Sequence, residues 1–412
     1  MTISVIELND VEIRVGKGKE VVLRSPGYAF IDKDKIELGS VAARQARLQP
    51  RAVHNKYWKN LNQEPLQYPG THARHNADLA FAQLLAIYDQ AGKPEEVIIA
   101  VPGSYSNDQL ALLLGLVEAS PLTIVGLVDS AIAAVAPTAG KGNYVYIDTH
   151  LHQTILTRIS VTDQVVRGAV HPIDGAGLAS IYDTTAHLIA DLFIKESRFD
   201  PQHHPETEQA LYDQIPTCLN SLQTLSEVSL EIQYQQTQHQ AKLSRESLLH
   251  VLQPLYNKIA DAIDANDSCL ISNQTGQLPG FTNSLNEAQI LPASNIFETC
   301  MIHAESIRSA GSGSNYVTSL PATSSPVITE TPKQNLENTG TVNSTGQNIT
   351  HILHGHNAFA LHEGPVYLSA SGLISIDDAS TGHCCVSQQK GKVKLQTNGE
   401  LYQWLTQQYL NH

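Results

Sequence analysis

Three carboxylates in this chain each close a run of apolar residues, so that a strand would deliver them to the edge of a sheet: Glu7 after "ISVI", Asp129 after "LTIVGLV" and Asp148 after "NYVYI". Asp148 opens like a phosphate-binding turn, where the next residues must be small enough for backbone N–H groups to approach the ligand. Instead come Thr149, His150, Leu151 and His152. His150 and His152 stand at strand spacing, and with Asp148 nearby two imidazoles could hold a metal. Exposed loop histidines are the simpler reading, and no metal site is expected.

Other groups invite weaker chemistry. The tail segment "HILHGHNAFALH" offers His351, His354, His356 and His362, but only His354 and His356 alternate on one strand, and no Cys or carboxylate falls at a ligand spacing. The Cys384–Cys385 pair in "TGHCCVSQQKGKVKL" reads as part of a strand ahead of a hairpin. "RFDPQHHPETEQALYDQIP", 198–216, could dock a partner, and is more simply a Pro-broken loop entering a helix. Arg44, Arg47 and Arg51 lie along a short helix and its end, where a solvated face is expected.

A chain of 412 residues with 42% apolar content suits two to three domains at ~150 residues each and at least one large core. Its formal charge of −14 disfavours nucleic acid and anionic membranes as partners. No apolar run nears the ~18 residues of a membrane span, and "MTISVIELND" does not read as a secretory signal. Five scattered cysteines without a CxxC point to a reducing, cytoplasmic setting.

Strand and helix patterns alternate through a body spanning 1–310. "ISVIEL" is a strand, with "VEIRVG" and "EVVLRS" following it antiparallel. "ADLAFAQLLAIYDQAG" carries helical spacing and stops at Gly92. "EEVIIAVPG" is a strand, and "SNDQLALLLGLVEA" a helix opened by a capping box from Ser106 to Gln109. Residues 311–348, rich in Ser, Thr, Pro, Gly and Asn, read as a flexible linker. Residues 349–412 read as a small β-rich module. The rhythm is α/β with mixed sheets.

"VIIAVPGSYSNDQLALLLGLVEASPLTIVGLVDSAIAAV", 97–135, resembles the segment of DnaK-type heat-shock chaperones in which a Val-Pro strand end leads through an aromatic, a polar cap and a glutamine into a helix. A second strand then ends at an acidic residue before an Ala-rich helix. "SPGYAFIDKDKIELGSVAARQARLQPR", "VSLEIQY…LSRESLLHVLQPLYNKIADAI", "SCLISNQTGQLPGF" and "NIFETCMIHAESI" are similar to further family segments in the same order. The resemblance covers roughly residues 3–310 and implies a two-lobed actin-like ATPase fold around a cleft.

What the resemblance implies about ATP is damaged at each motif. The family's first hairpin calls for Asp-Leu-Gly-Thr-Thr. Here Glu7 stands for the aspartate, Asn9 for the glycine and Asp10 for a hydroxyl residue, which turns a negative charge toward the triphosphate. The second hairpin keeps Asp148 but has His150, Leu151 and His152 in place of glycines. The adenosine loop shows Ser272 and Asn273 where a Gly-Gly pair belongs, with Gly276 further on. Asp129 falls at the catalytic glutamate and Lys56 near the expected lysine. Asp148, Glu7 and Asp129 are thus vestigial catalytic candidates. Lys56, Asn9, His150, Ser272, Asn273 and Gly276 would meet nucleotide if any binds. The expectation is a DnaK-related pseudo-ATPase without cofactor, acting as a regulatory or scaffold protein toward a protein partner. The alternative is an ATP-binding protein or Mg-dependent ATPase with rearranged loops. The tail is too small for the chaperone's peptide-binding domain and its lid.

Overall fold

Alternate residues of "EVIIAV" face two different cores: Val97, Ile99 and Val101 pack on one side, Ile98 and Ala100 on the other. Burial on both faces is what a central parallel strand requires. The computed structural model describes residues 3–309 apart from 34, 265 and 286, residues 316–322, and the backbone of seven strands between 349 and 406. The chain divides into two units, Met1–Ile328 and Thr329–His412.

The first unit opens with β1 (Ile3–Glu7), β2 (Ile13–Lys17) and β3 (Glu20–Ser25). A small sheet follows, made of β4 (Ala29–Asp32), β5 (Lys35–Leu38) and β6 (Val53–His54), with the one-turn helix α1 (Ser40–Ala43) after β5. Next come α2 (Asn76–Gln90), β7 (Glu96–Val101), α3 (Asn107–Glu118), β8 (Thr123–Asp129) and α4 (Ser130–Val135). Gly92 ends the α2 segment at φ +79°, in the left-handed region that favours glycine. Ser106 and Gln109 form the reciprocal capping box at the start of α3.

A second meander follows: β9 (Gly142–Thr149), β10 (Gln153–Val161) and β11 (Gln164–Asp174). Then come α5 (Leu178–Ser197), α6 (Pro205–Ser221), the hairpin β12 (Glu227–Tyr234) and β13 (Thr237–Ser244), and α7 (Arg245–Ala260). The described part closes with β14 (Ser268–Ile271), α8 (Asn273–Gly276), β15 (Ala288–Ile290), α9 (Asn295–Ile302), α10 (Ala304–Ser309), β16 (Tyr316–Val317) and β17 (Ser319–Pro321).

These strands form two six-stranded mixed sheets, ordered β16-β8-β7-β1-β2-β3 and β15-β14-β9-β10-β11-β17. Each has an antiparallel meander whose first strand pairs in parallel with a later strand, and that strand pairs in parallel with the next. Five strands of each sheet therefore share one topology, and the sixth adds at opposite ends, β16 beside β8 and β17 beside β11. Val5 and Ile98 of the first meet Tyr146 and Leu270 of the second in a common core with α4 and α9. The outer face of the first sheet is covered by α2 and α3, and that of the second by α5, α6 and α7.

Part of the segment expected to be a linker belongs to these sheets. Tyr316 and Val317 add in parallel to β8, and Ser319–Pro321 add antiparallel to β11, with only Thr318 between them. Val317 and Leu320 are buried in the common core. Two short strands need few large side chains, so a composition poor in apolar residues still pairs here. Residues 323–348 lie outside the described residues.

In the second unit, backbone pairing joins three strands of 349–406 in one sheet and four in another. His351, His354, Cys384 and Cys385 lie on strands of which only the backbone is described, and His356 and His362 lie outside the described residues.

Candidate functional site

Glu7, Asp129 and Asp148 each sit where an apolar strand ends, and the two meander turns meet face to face. Glu7 closes β1, and Leu8 continues its pairing through a bond from its N–H to Ala100 O. Asn9 folds into an Asx turn, its Oδ1 accepting from Val11 N at 3.0 Å. Its Nδ2 crosses to the other turn, donating to Thr149 O at 3.1 Å and Asp148 Oδ2 at 3.2 Å. Asp10 Oδ1 accepts from Leu151 N at 2.7 Å.

Between the two turns lies His150, 4% exposed. Its Nδ1 is 3.3 Å from Asp10 Oδ1 and its Nε2 is 3.3 Å from Asp148 Oδ2. At Nε2 the alignment falls short of a hydrogen bond, so that contact is an ion pair. Burial alone would depress the imidazole; the two carboxylates overcome it and push the pKa up to about 10. Burial likewise works to raise Asp10, but His150 and the Leu151 N–H outweigh it and hold its carboxyl below the usual range. His150 is therefore a buried cation rather than an exposed loop residue, and it offsets the charge of Asp10.

Glu7 pairs with Arg14 at 2.5 Å. The two stand directly opposite each other in the β1–β2 register, and the guanidinium lies 5.4 Å over the Phe297 ring. Burial pushes the Glu7 carboxyl up against the pull of Arg14, and Asp148 adds to the rise. Asp129 is fully buried and entirely engaged. Its Oδ1 caps α4 by accepting from Ala131 N and Ile132 N, and its Oδ2 accepts from Tyr316 OH at 2.8 Å and Arg167 Nη1 at 3.1 Å. Burial raises its pKa, with Tyr316 and Arg167 opposing.

The adenosine-loop candidates separate. Ser272 caps the one-turn helix α8 and bonds Thr275, whose hydroxyl accepts from Thr149 N at 2.8 Å. Gly276 packs against Ile290, where an added Cβ would meet the side chain at 2.7 Å, so it is a packing glycine and does not line the cleft. Asn273 and Lys56 do line it. That cleft has a volume of about 1410 Å³ and lies above the joined turns, with Leu151 and His152 in its lining. His152 is held by Asn55, and burial depresses its pKa.

Arg47, expected on a solvated face, reaches across the cleft. It pairs with Asp183 of α5 at 2.7 Å and stacks 3.6 Å over the Tyr212 ring of α6. Among the described residues, Arg44 and Lys56 have no ion-pair partner.

Magnesium triphosphate does not fit the joined turns. The N–H of Leu151 already bonds Asp10, Asp148 faces an imidazolium, and Asn9 carries a side chain where a glycine would let phosphate approach. Arg14, Arg167 and Tyr316 were missed from the sequence. Arg14 could have been found, since pairing the hairpin places it opposite Glu7; nothing local marks the other two. Among the described residues, no helix is long and apolar enough to cross a membrane. No protein-family model matches this chain, and no curated protein matches it.

Proposed function

We propose that this is a DnaK-related protein whose actin-like, two-lobed body no longer hydrolyses ATP and serves as a cytoplasmic regulatory or scaffold component toward a protein partner. The observation that carries this reading is His150 held between Asp10 and Asp148: an internal cation fills the place where the resemblance calls for metal and phosphate. Two sheets that share a five-strand order beside a cleft are the arrangement that such a body calls for, which supports the family part of the reading.

The test is phosphate release from ATP by the full chain with Mg²⁺, together with calorimetric titration of ATP and ADP. The expected result is no release above the buffer rate and no saturable nucleotide heat that depends on magnesium. Micromolar binding abolished by Asp148→Ala would sink the reading. It would favour the alternative, a nucleotide-binding protein or ATPase, for which the open cleft with Lys56 and Asn273 in its wall is the supporting observation.

A further inference from the structure

The charge inside the cleft runs opposite to that of the chain. The whole sequence has 26 basic residues against 40 acidic ones, whereas the cleft is lined by six arginines and lysines against three carboxylates. All three carboxylates are engaged: Glu12 by Arg24, Asp183 by Arg47 and Tyr212, and Asp213 by Gln209. Among the cations, Arg44 and Lys56 stand without an ion-pair partner among the described residues.

Both unpaired cations come from the segment between β5 and α2, and uncharged amides line the same cleft: Asn55 and Asn60 of that segment, Asn220 at the end of α6, and Asn273 and Gln274 of α8. Unpaired cations together with uncharged donors and acceptors suit a ligand with one anionic end and a polar, neutral body. Burial in a cleft of about 1410 Å³ leaves ample room for a small molecule.

We propose that the cleft binds such an anion without magnesium, its carboxylate or phosphate-ester end at Arg44 and Lys56 and its body against Asn220, Asn273 and Gln274. Magnesium has no part because Asp10 and Asp148, the carboxylates that could share a metal with phosphate, are both turned to His150. The inference rests on the filled floor in the proposed function, and its test is separate from ATP turnover.

The experiment uses the full chain in EDTA, with inorganic phosphate and citrate as probes and sodium chloride at matched ionic strength as control. Melting temperature and calorimetric titration are followed. A saturable rise with phosphate, citrate or both is expected, the responding probe identifying the anionic end that is accepted. Arg44→Gln with Lys56→Gln should weaken that binding at least about tenfold, the worth of a lost charge-assisted contact. Both side chains are exposed, so the unliganded melting temperature should stay put. No saturable response to either probe, an equal response to chloride, an undiminished response in the double variant, or a requirement for added magnesium would each overturn the proposal. ATP hydrolysis in the separate assay would overturn the proposed function and leave this result to be read by itself.

Discussion

His150 Nδ1 lies 3.3 Å from Asp10 Oδ1, although the two residues come from turns of different sheets. With Asp148 on the far side of the ring, the imidazolium ties the turns together and has almost no access to water. Removing one member of a buried ion cluster leaves the others uncompensated, which costs far more than the cluster contributes as a whole. We expect His150→Ala to destabilise the body by about 3–5 kcal/mol in urea unfolding. The triple replacement Asp10→Asn, His150→Gln, Asp148→Asn should cost less than the single one. A triple variant as unstable as His150→Ala would refute the ion-cluster account.

The same contact sets a pH dependence. The His150 pKa is raised from its ordinary 6.5 to about 10, so its stabilising contribution is complete below pH 6.5, declines above it and is gone past 10. Between pH 7 and 10 the wild type should therefore lose more melting temperature than His150→Gln does. Equal slopes would place the proton elsewhere. Asp10, held below its ordinary value, acts at the other end: its contribution is present above 3.8 and is lost as pH falls through its folded pKa.

Residues beyond 310 should carry stability. Tyr316→Phe removes the bond from the phenol to the buried Asp129 and should cost about 1.5–3 kcal/mol, as hydrogen bonds to charged groups do. A fragment ending at residue 310 should melt below one ending at 328, because it leaves the edges of β8 and β11 unpaired. Equal melting temperatures for the two fragments would show that β16 and β17 are ornaments on a finished body.

Gly177 lies against the second turn, whose carbonyls at His150 and Leu151 accept from Leu178 N and Ala179 N at the start of α5. An added Cβ at Gly177 would come within 2.4 Å of Gln153 N and 2.6 Å of Leu151 O, and backbone cannot swing aside as a side chain can. Gly177→Ala should cost at least about 3 kcal/mol, the upper range for overpacking. A near-neutral change in unfolding midpoint would mean that the turn and α5 separate easily.

Much of the fold was legible because local rules and tertiary environment agree. The apolar run of β7 demanded burial on both faces and received it, and the capping box of α3 formed as its residues dictate. The site was legible only in what it lacks. Asn9 and His150 in place of glycines could be read from the chain, but the contacts that join the two turns, Asn9 with Asp148 and His150 with Asp10, could not, because each crosses between sheets. Arg47 shows the same limit: its helix end looked solvated until α5 and α6 brought Asp183 and Tyr212 to it. Residues 316–321 failed on composition, which averages over a stretch, whereas burial there falls chiefly on Val317 and Leu320.

Those last two strands have a consequence for how the body is made. The ribosome releases β8 and β11 long before residues 316–321, and each remains the open rim of its sheet until the closing segment emerges. An open rim offers unpaired N–H and C=O groups to any other extended chain. The interval between the synthesis of residue 174 and of residue 321 is thus when the rim stretches Leu127–Val128 and Gln164–Val166 stand open to wrong pairing, and one short segment then pairs both at once.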